Sequence, residues 1–206
     1  MKCSIIIATY GDDSWEKLAL ERAAPSTEGQ GAHEVLLGHD PDGTIASCRN
    51  DLAAQAEGDW LLFLDADDEI APGFLAAMKR AIQQERRTRD VPLLLTPAVS
   101  YIRSGKRAAA MFHPVGDLRN DNFLVVGTLV ERDLFHKVGG FSDYPHGFED
   151  WSLWAKCWKE GAEVVQVQRA LYIAHWNPNS KHKRGWKNRR WQMEMHNKIR
   201  AELFPE

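Results

Sequence analysis

The chain has 206 residues, 44% of them hydrophobic and 27% charged, with a formal net charge of -3. That length supports one large domain with a sizeable core, and the near-neutral charge gives no overall pull toward nucleic acid or a membrane surface. Cys3, Cys48 and Cys157 lie far apart without CxxC spacing, which argues against a disulfide framework or a zinc site and for reduced thiols. No apolar run is long enough to span a bilayer, and Met1 to Ala8 is too short for the apolar part of a signal peptide. The expectation is a cytoplasmic protein without a transmembrane segment.

In chain order, Cys3 to Ala8 (CSIIIA) reads as a buried first strand that breaks at Thr9-Tyr10-Gly11. A helix is expected from Ser14 to Ala23, capped by Ser14, with Trp15, Leu18 and Ala19 on one face. Glu34 to Leu37 reads as a second strand, Gly38 to Thr44 (GHDPDGT) as turn throughout, and Ile45 to Glu57 as a helix stopped by Gly58. The next stretch, Asp59 to Glu69 (DWLLFLDADDE), runs five apolar residues directly into three carboxylates. A continuous apolar run marks a strand buried on both faces, and in open α/β sheets ligands gather outside the carboxyl ends of such strands. Asp65 and Asp67 alternate across one residue, so both can reach one hard divalent cation, which takes oxygen ligands. An acidic turn after a core strand is the plain alternative for this segment taken alone.

Alternation of strands and helices implies βαβ units and a mostly parallel central sheet flanked by helices. Pro72 opens a helix whose inner stripe is Phe74, Leu75, Met78 and Ile82. Leu93 to Val99 is a strand, and Val99 to Phe112 a hairpin turning at Ser104-Gly105, where strict alternation ends. Leu124 to Val130 and Val164 to Val167 are expected strands; Glu131 to Val138 and Asp150 to Glu160 are expected helices. Gly139-Gly140-Phe141 and Gly147-Phe148-Glu149-Asp150-Trp151 combine glycines for close backbone approach with paired carboxylates at a helix start, suited to a general base or to a simple N-terminal cap. Trp151, Trp154 and Trp158 recur at helical spacing and read as core. His175 ends a strand and leads into NPNSKHKR. Basic residues crowd the segment from Lys181 to Arg200, opposed by Glu194 alone, as a segment facing an anion would be. From Trp186 on, Trp191, Met195, Ile199 and Leu203 recur every fourth residue, so the tail reads as a helix packed on the body.

The order of these segments resembles glycosyltransferases of the GT-A fold, a Rossmann-like α/β architecture, and family 2 in particular. SIIIATYG resembles that family's first strand and nucleotide-contacting turn, and EVLLGHDPDGT its second strand and acidic loop. CRNDLAAQAEGDWLLFLDADDEI resembles its Arg-Asn helix, strand and D-x-D motif, and FHKVGGFSDYPHGFEDWSLW its acceptor-side motif. The resemblance implies a single domain, with residues 1–95 binding the nucleotide sugar, 96–176 binding the acceptor, and 177–206 forming a basic lid loop and C-terminal helix. Thr9, Tyr10 and Asp40 would touch base and ribose, and Arg49 would lie near the diphosphate or support the acidic loop. Asp65 and Asp67 would hold Mn2+ or Mg2+ against the diphosphate, with Ala66 between them at the donor and His175 as a further metal ligand. Asp150 would be the base, with Glu149 orienting it or contacting the acceptor. Lys181, His182, Lys183 and Arg184 would close on the leaving group. The implied partners are a nucleotide-sugar donor, a UDP-sugar first, and a glycan, protein or lipid-linked acceptor, with no nucleic acid.

Two features depart from the family pattern. The acidic loop is one residue shorter, which leaves the base-reading role of Asp40 open. GFEDWSLWAKCWKEG with the later His-Trp also resembles polypeptide N-acetylgalactosaminyltransferases, which retain configuration, so stereochemistry stays open. Haloacid-dehalogenase-like phosphatases place D-x-D in their first core strand followed by Thr or Ser, whereas here a full βαβ unit precedes it and Asp68 and Glu69 follow. A non-catalytic sugar- or nucleic-acid-binding module would leave both carboxylate clusters without a task.

Overall fold

The computed structural model describes residues 1–144, 147–177 and 189–205, the last segment from residue 193 on with its side chains. The first strand, β1 (Cys3–Tyr10), is buried along nearly its whole length, as its Ile-rich run requires. It lies parallel between β2 (Glu34–Asp40) and β3 (Trp60–Phe63). Next come β4 (Glu69–Ile70), β5 (Leu93–Arg103), β6 (Lys106–Arg107), β7 (Leu129–Glu131) and β8 (Glu163–His175). They form one mixed sheet in the order β2-β1-β3-β7-β5-β8-β4, with β6 paired to β5. Because β7 is antiparallel to both β3 and β5, and β8 is parallel to β5, the strands β1, β2, β3, β5 and β8 all point the same way. Their carboxyl ends therefore share one edge of the sheet.

Helices cover the sheet. α1 (Ser14–Leu18) widens into a π-helical turn, Ala19–Ala23, and continues as α2 (Ala24–Ser26). α3 (Ile45–Gln55) opens on a capping box, Ser47 N donating to Thr44 Oγ1 at 3.1 Å and Thr44 N to Ser47 Oγ at 2.9 Å. α4 (Phe74–Glu85) buries Phe74, Leu75, Met78 and Ile82, the stripe expected of it. Among the described residues α5 (Arg132–Lys137), α6 (Glu149–Lys159) and α7 (Arg189–Leu203) follow. Trp151 and Trp154 are core residues, at 1% and 0% exposed. In α7, Met195 and Ile199 are buried, so the tail helix is docked on the body. Among the described residues no helix is long and apolar enough to cross a membrane.

Four local expectations are corrected. Ser14 does not cap its helix: its amide is bonded by Asp12 Oδ1 at 2.9 Å, and the cap position is Asp13. Gly38, His39 and Asp40 are not turn but the end of β2, in register with Ala8, Thr9 and Tyr10, so backbone pairing overrides their turn-prone identities. Residues 124–128 form a buried loop rather than a strand, closed by Thr128 N on Val125 O at 3.0 Å, and only Leu129–Glu131 pairs. β8 is much longer than its apolar run Val164 to Val167, and it bulges opposite Pro97, which has no amide to donate to the ladder. The turn at Ser104-Gly105 is as expected, with φ of 50° and 73° as a type I′ hairpin demands.

Candidate active site

The three carboxylates sit at the carboxyl end of β3 because Leu64 N still donates to Ile6 O at 2.9 Å, holding the chain on β1 up to Asp65. Asp65, Asp67 and Asp68 each offer a carboxylate oxygen, all within 4.8 Å of one another. Their hydrogen bonds divide them. Asp68 is 8% exposed and spends both oxygens on β8, Oδ2 accepting from Tyr172 Oη at 2.8 Å and Oδ1 from His175 N at 2.7 Å. Burial, then the charges of Asp65 and Asp67, push its carboxyl well above the usual range. Asp65 gives Oδ1 to Arg49 and Asp67 gives Oδ2 to Asn177 Nδ2 at 3.1 Å, leaving one oxygen on each outside these bonds. Burial and the neighbouring Asp65 also raise Asp67, the condition a bound cation would relieve. This all-oxygen set, with Asp68 acting as a tie, fits a hard divalent cation of the Mg2+ or Mn2+ kind held by Asp65 and Asp67.

The second carboxylate pair meets the first through α3. Arg49 is 4% exposed; its Nη2 bonds Asp65 Oδ1 at 2.5 Å and its Nη1 bonds Glu149 Oε1 at 3.0 Å. Burial alone would favour the neutral guanidine, but Asp65, Glu149 and Asp150 hold it more firmly protonated than an ordinary arginine. Asn50, the next residue, grips the backbone of Phe141, donating to its carbonyl and accepting from its amide, both at 2.9 Å. Phe141 in turn wedges its ring against Phe63 at 4.7 Å and under Arg49 at 5.0 Å. Gly139 and Gly140 make this possible by ending α5 with φ of 76° and 62°. Asp150 is fixed by Asn122 Nδ2 on Oδ2 at 2.9 Å and by Trp151 N on Oδ1 at 2.7 Å.

Asp65 and Asp67 of the first cluster and both acids of the second line one cavity of about 190 Å³ at the carboxyl edge of β1 and β3. Thr9, Tyr10, Arg49, Asp65, Ala66, Asp67, Glu149 and Asp150 are brought together there. Thr9 contributes its body only, since its hydroxyl is used on Gly38 O and His39 Nδ1. Two expected residues are elsewhere. Asp40 stands beside Tyr10 in register, but its carboxylate is turned back onto its own loop, accepting from Asp42 N at 3.1 Å, and it does not line the cavity. His175 Nε2 faces Glu69 Oε2 at 2.5 Å and is not part of the three-carboxylate cluster. Lys181, His182, Lys183 and Arg184 lie outside the described residues. Sequence reasoning missed Asn122, Tyr172 and the cavity-lining Tyr144; each acts across a separation that no local pattern records.

The glycosyl transferase family 2 model matches residues 35–94, which span β2, α3, β3 and α4. No curated protein matches the chain by sequence. Among solved structures, Staphylococcus aureus TarS residues 1–349 in complex with UDP-GlcNAc is 18% identical, with a TM-score of 0.65 over 89% of this chain and 61% of that one. The same TarS fragment with UDP is 18% identical, with a TM-score of 0.59 over 98% of this chain and 70% of that one. GalNAc-T7 with UDP, GalNAc and Mn2+ is 14% identical, with a TM-score of 0.55 over 87% of this chain and 44% of that one. The chain thus spans about 61% of the first of these structures. At such identities the likeness is one of fold. The segment that matches the glycosyl transferase family 2 model carries Arg49, Asp65 and Asp67, and the chain as a whole has the GT-A fold.

Proposed function

We propose that the chain is a metal-dependent glycosyltransferase that moves a sugar from a nucleoside-diphosphate donor, a UDP-sugar first, to an acceptor hydroxyl. The observation that carries this reading is Arg49, which joins Asp65 and Glu149 and so places the two carboxylate clusters on one cavity. The solved relatives that hold UDP, UDP-GlcNAc, or UDP with Mn2+ support the nucleotide and the ion. Asp65 and Asp67 would hold Mg2+ or Mn2+, which supplies charge neutralisation for a departing diphosphate when bound. Arg49 bridges Asp65 and Glu149 and supplies the positive charge between them. Tyr10, Ala8 and Ala66 provide the apolar floor at the donor end.

At the other end Asp150 is the base of our reading. Asn122 Nδ2 and the Trp151 amide both donate to it and aim the carboxylate, and a carboxylate so placed is the group that takes the acceptor's hydroxyl proton in this reading. Attack opposite the leaving group would then invert the anomeric centre. Asp150→Asn keeps the volume and removes the proton acceptor, so transfer falls by about 10²- to 10⁴-fold while UDP affinity in Mn2+ is unchanged. Product anomer analysis by NMR completes the test. Normal turnover by Asp150→Asn, or a retained configuration, contradicts the base assignment.

A further inference from the structure

We propose that the C-terminal helix α7 sets the cavity wall on the Asp150 side, with Glu202 and His196 acting as positioning residues for Tyr144 and Phe148. The proposal rests on reading that wall as the acceptor side. Tyr144 is 8% exposed, lines the cavity, and donates its hydroxyl to Glu202 Oε2 at 2.7 Å across 58 positions of sequence. Lys198 stands 3.8 Å from Glu202 Oε1 and 5.7 Å from the centre of the Tyr144 ring, completing a small polar clamp. Burial and the Glu202 bond raise the Tyr144 phenol to about 12, so it remains a donor throughout the working pH range.

The second contact falls on a residue with an unusual backbone. Phe148 has φ 72° and ψ 3°, a left-handed conformation that is rare and costly for a residue with a side chain, and it immediately precedes Glu149 and Asp150. Its ring meets His196 edge-on at 5.3 Å, and His196 lies 4.5 Å from the Trp151 ring. The helix that carries the paired acids therefore starts from a strained residue braced by α7. Docking of α7 has its own apolar anchors in Met195 and Ile199. The Tyr144–Glu202 bond is therefore not needed to hold the helix down; what it fixes is the rotamer of a ring facing the cavity. A hydroxyl-bearing acceptor lying against Tyr144 and Phe148 would find its surface placed from outside the cavity by these two contacts.

The test uses the full chain and the saccharide acceptor on which the wild type is most active in a panel, together with UDP calorimetry in Mn2+ and hydrogen exchange over residues 141–153. Glu202→Ala and Tyr144→Phe each raise acceptor KM by about tenfold, the scale of one hydrogen bond. Glu202→Gln, which still accepts that bond, stays near wild type, and the Tyr144→Phe/Glu202→Ala double variant is no worse than either single one. UDP affinity stays within about twofold in all of them, as expected for sites that do not touch the donor. His196→Ala speeds exchange at 147–153 and His196→Phe, which restores a ring, slows it again. Additive losses in the double variant, a parallel loss of UDP affinity, or unchanged exchange in His196→Ala overturns the proposal. If the wild type transfers to no saccharide, the acceptor reading falls, and the exchange arm still decides whether α7 braces this wall.

Discussion

The two walls of the cavity are built by different means. One is a backbone wall: β1 and β3 lie in a parallel ladder with β2, and Thr9, Asp65 and Asp67 stand where the strands end. The facing wall is made of loop residues 118–128, 141–144, 147 and 148 and of the start of α6, whose place is set by side chains: Asn50 on Phe141, Asn122 on Asp150, Trp151 Nε1 on Leu118 O, and Lys156 on Gly140 O. A ladder distributes its hold over many bonds, whereas a clamp concentrates it in one. The first wall is thus suited to a constant task and the second to one that point substitutions can retune.

Arg49 spans the gap between the walls, and its loss should have the largest effect. Arg49→Met leaves Asp65 and Glu149 facing each other without their counter-charge. Breaking a buried ion pair by removing one partner costs about 3 to 5 kcal/mol, readable as a fall in the urea midpoint. A stable Arg49→Met protein would mean that the walls do not depend on this bridge. Next comes the loop wall. Asn50→Ala strands the amide and carbonyl of Phe141, at about 1 to 3 kcal/mol, and hydrogen exchange should quicken over 139–150 while β1 and β3 stay protected. Equal quickening on both sides would erase the distinction between ladder and clamp. The smallest effect lies at the start of α3: Thr44→Ala removes one half of the capping box and costs about 1 kcal/mol, without selective loosening of either wall.

The same contrast decides what could be read from the amino-acid order. β1, β3 and α4 are legible because burial on both faces or on one helical stripe writes itself into consecutive or 3.6-spaced apolar residues. Asp65 and Asp67 are legible because they follow such a strand directly. Nothing local marks Asn122 as the partner of Asp150, or Tyr172 as the partner of Asp68 across 104 positions, because those bonds depend on loop paths fixed by the whole fold. The buried loop at 124–128 has strand-like composition, but Gly127 lies so close to the Tyr172 ring that an added methyl would fall 2.2 Å from it, and the chain turns there instead of pairing. His175 kept its expected position at a strand end, yet its ring is taken by Glu69.

The proposed function requires Asp65 and Asp67 to serve a nucleoside diphosphate through a divalent ion and Asp150 to serve the acceptor from the opposite wall. Calorimetric titration of UDP with and without Mn2+ against the wild type, Asp67→Ala and Asp150→Asn tests this most directly. The expected result is binding that requires Mn2+, is abolished by Asp67→Ala and is untouched by Asp150→Asn. Binding that ignores the metal, or that survives in Asp67→Ala, contradicts it.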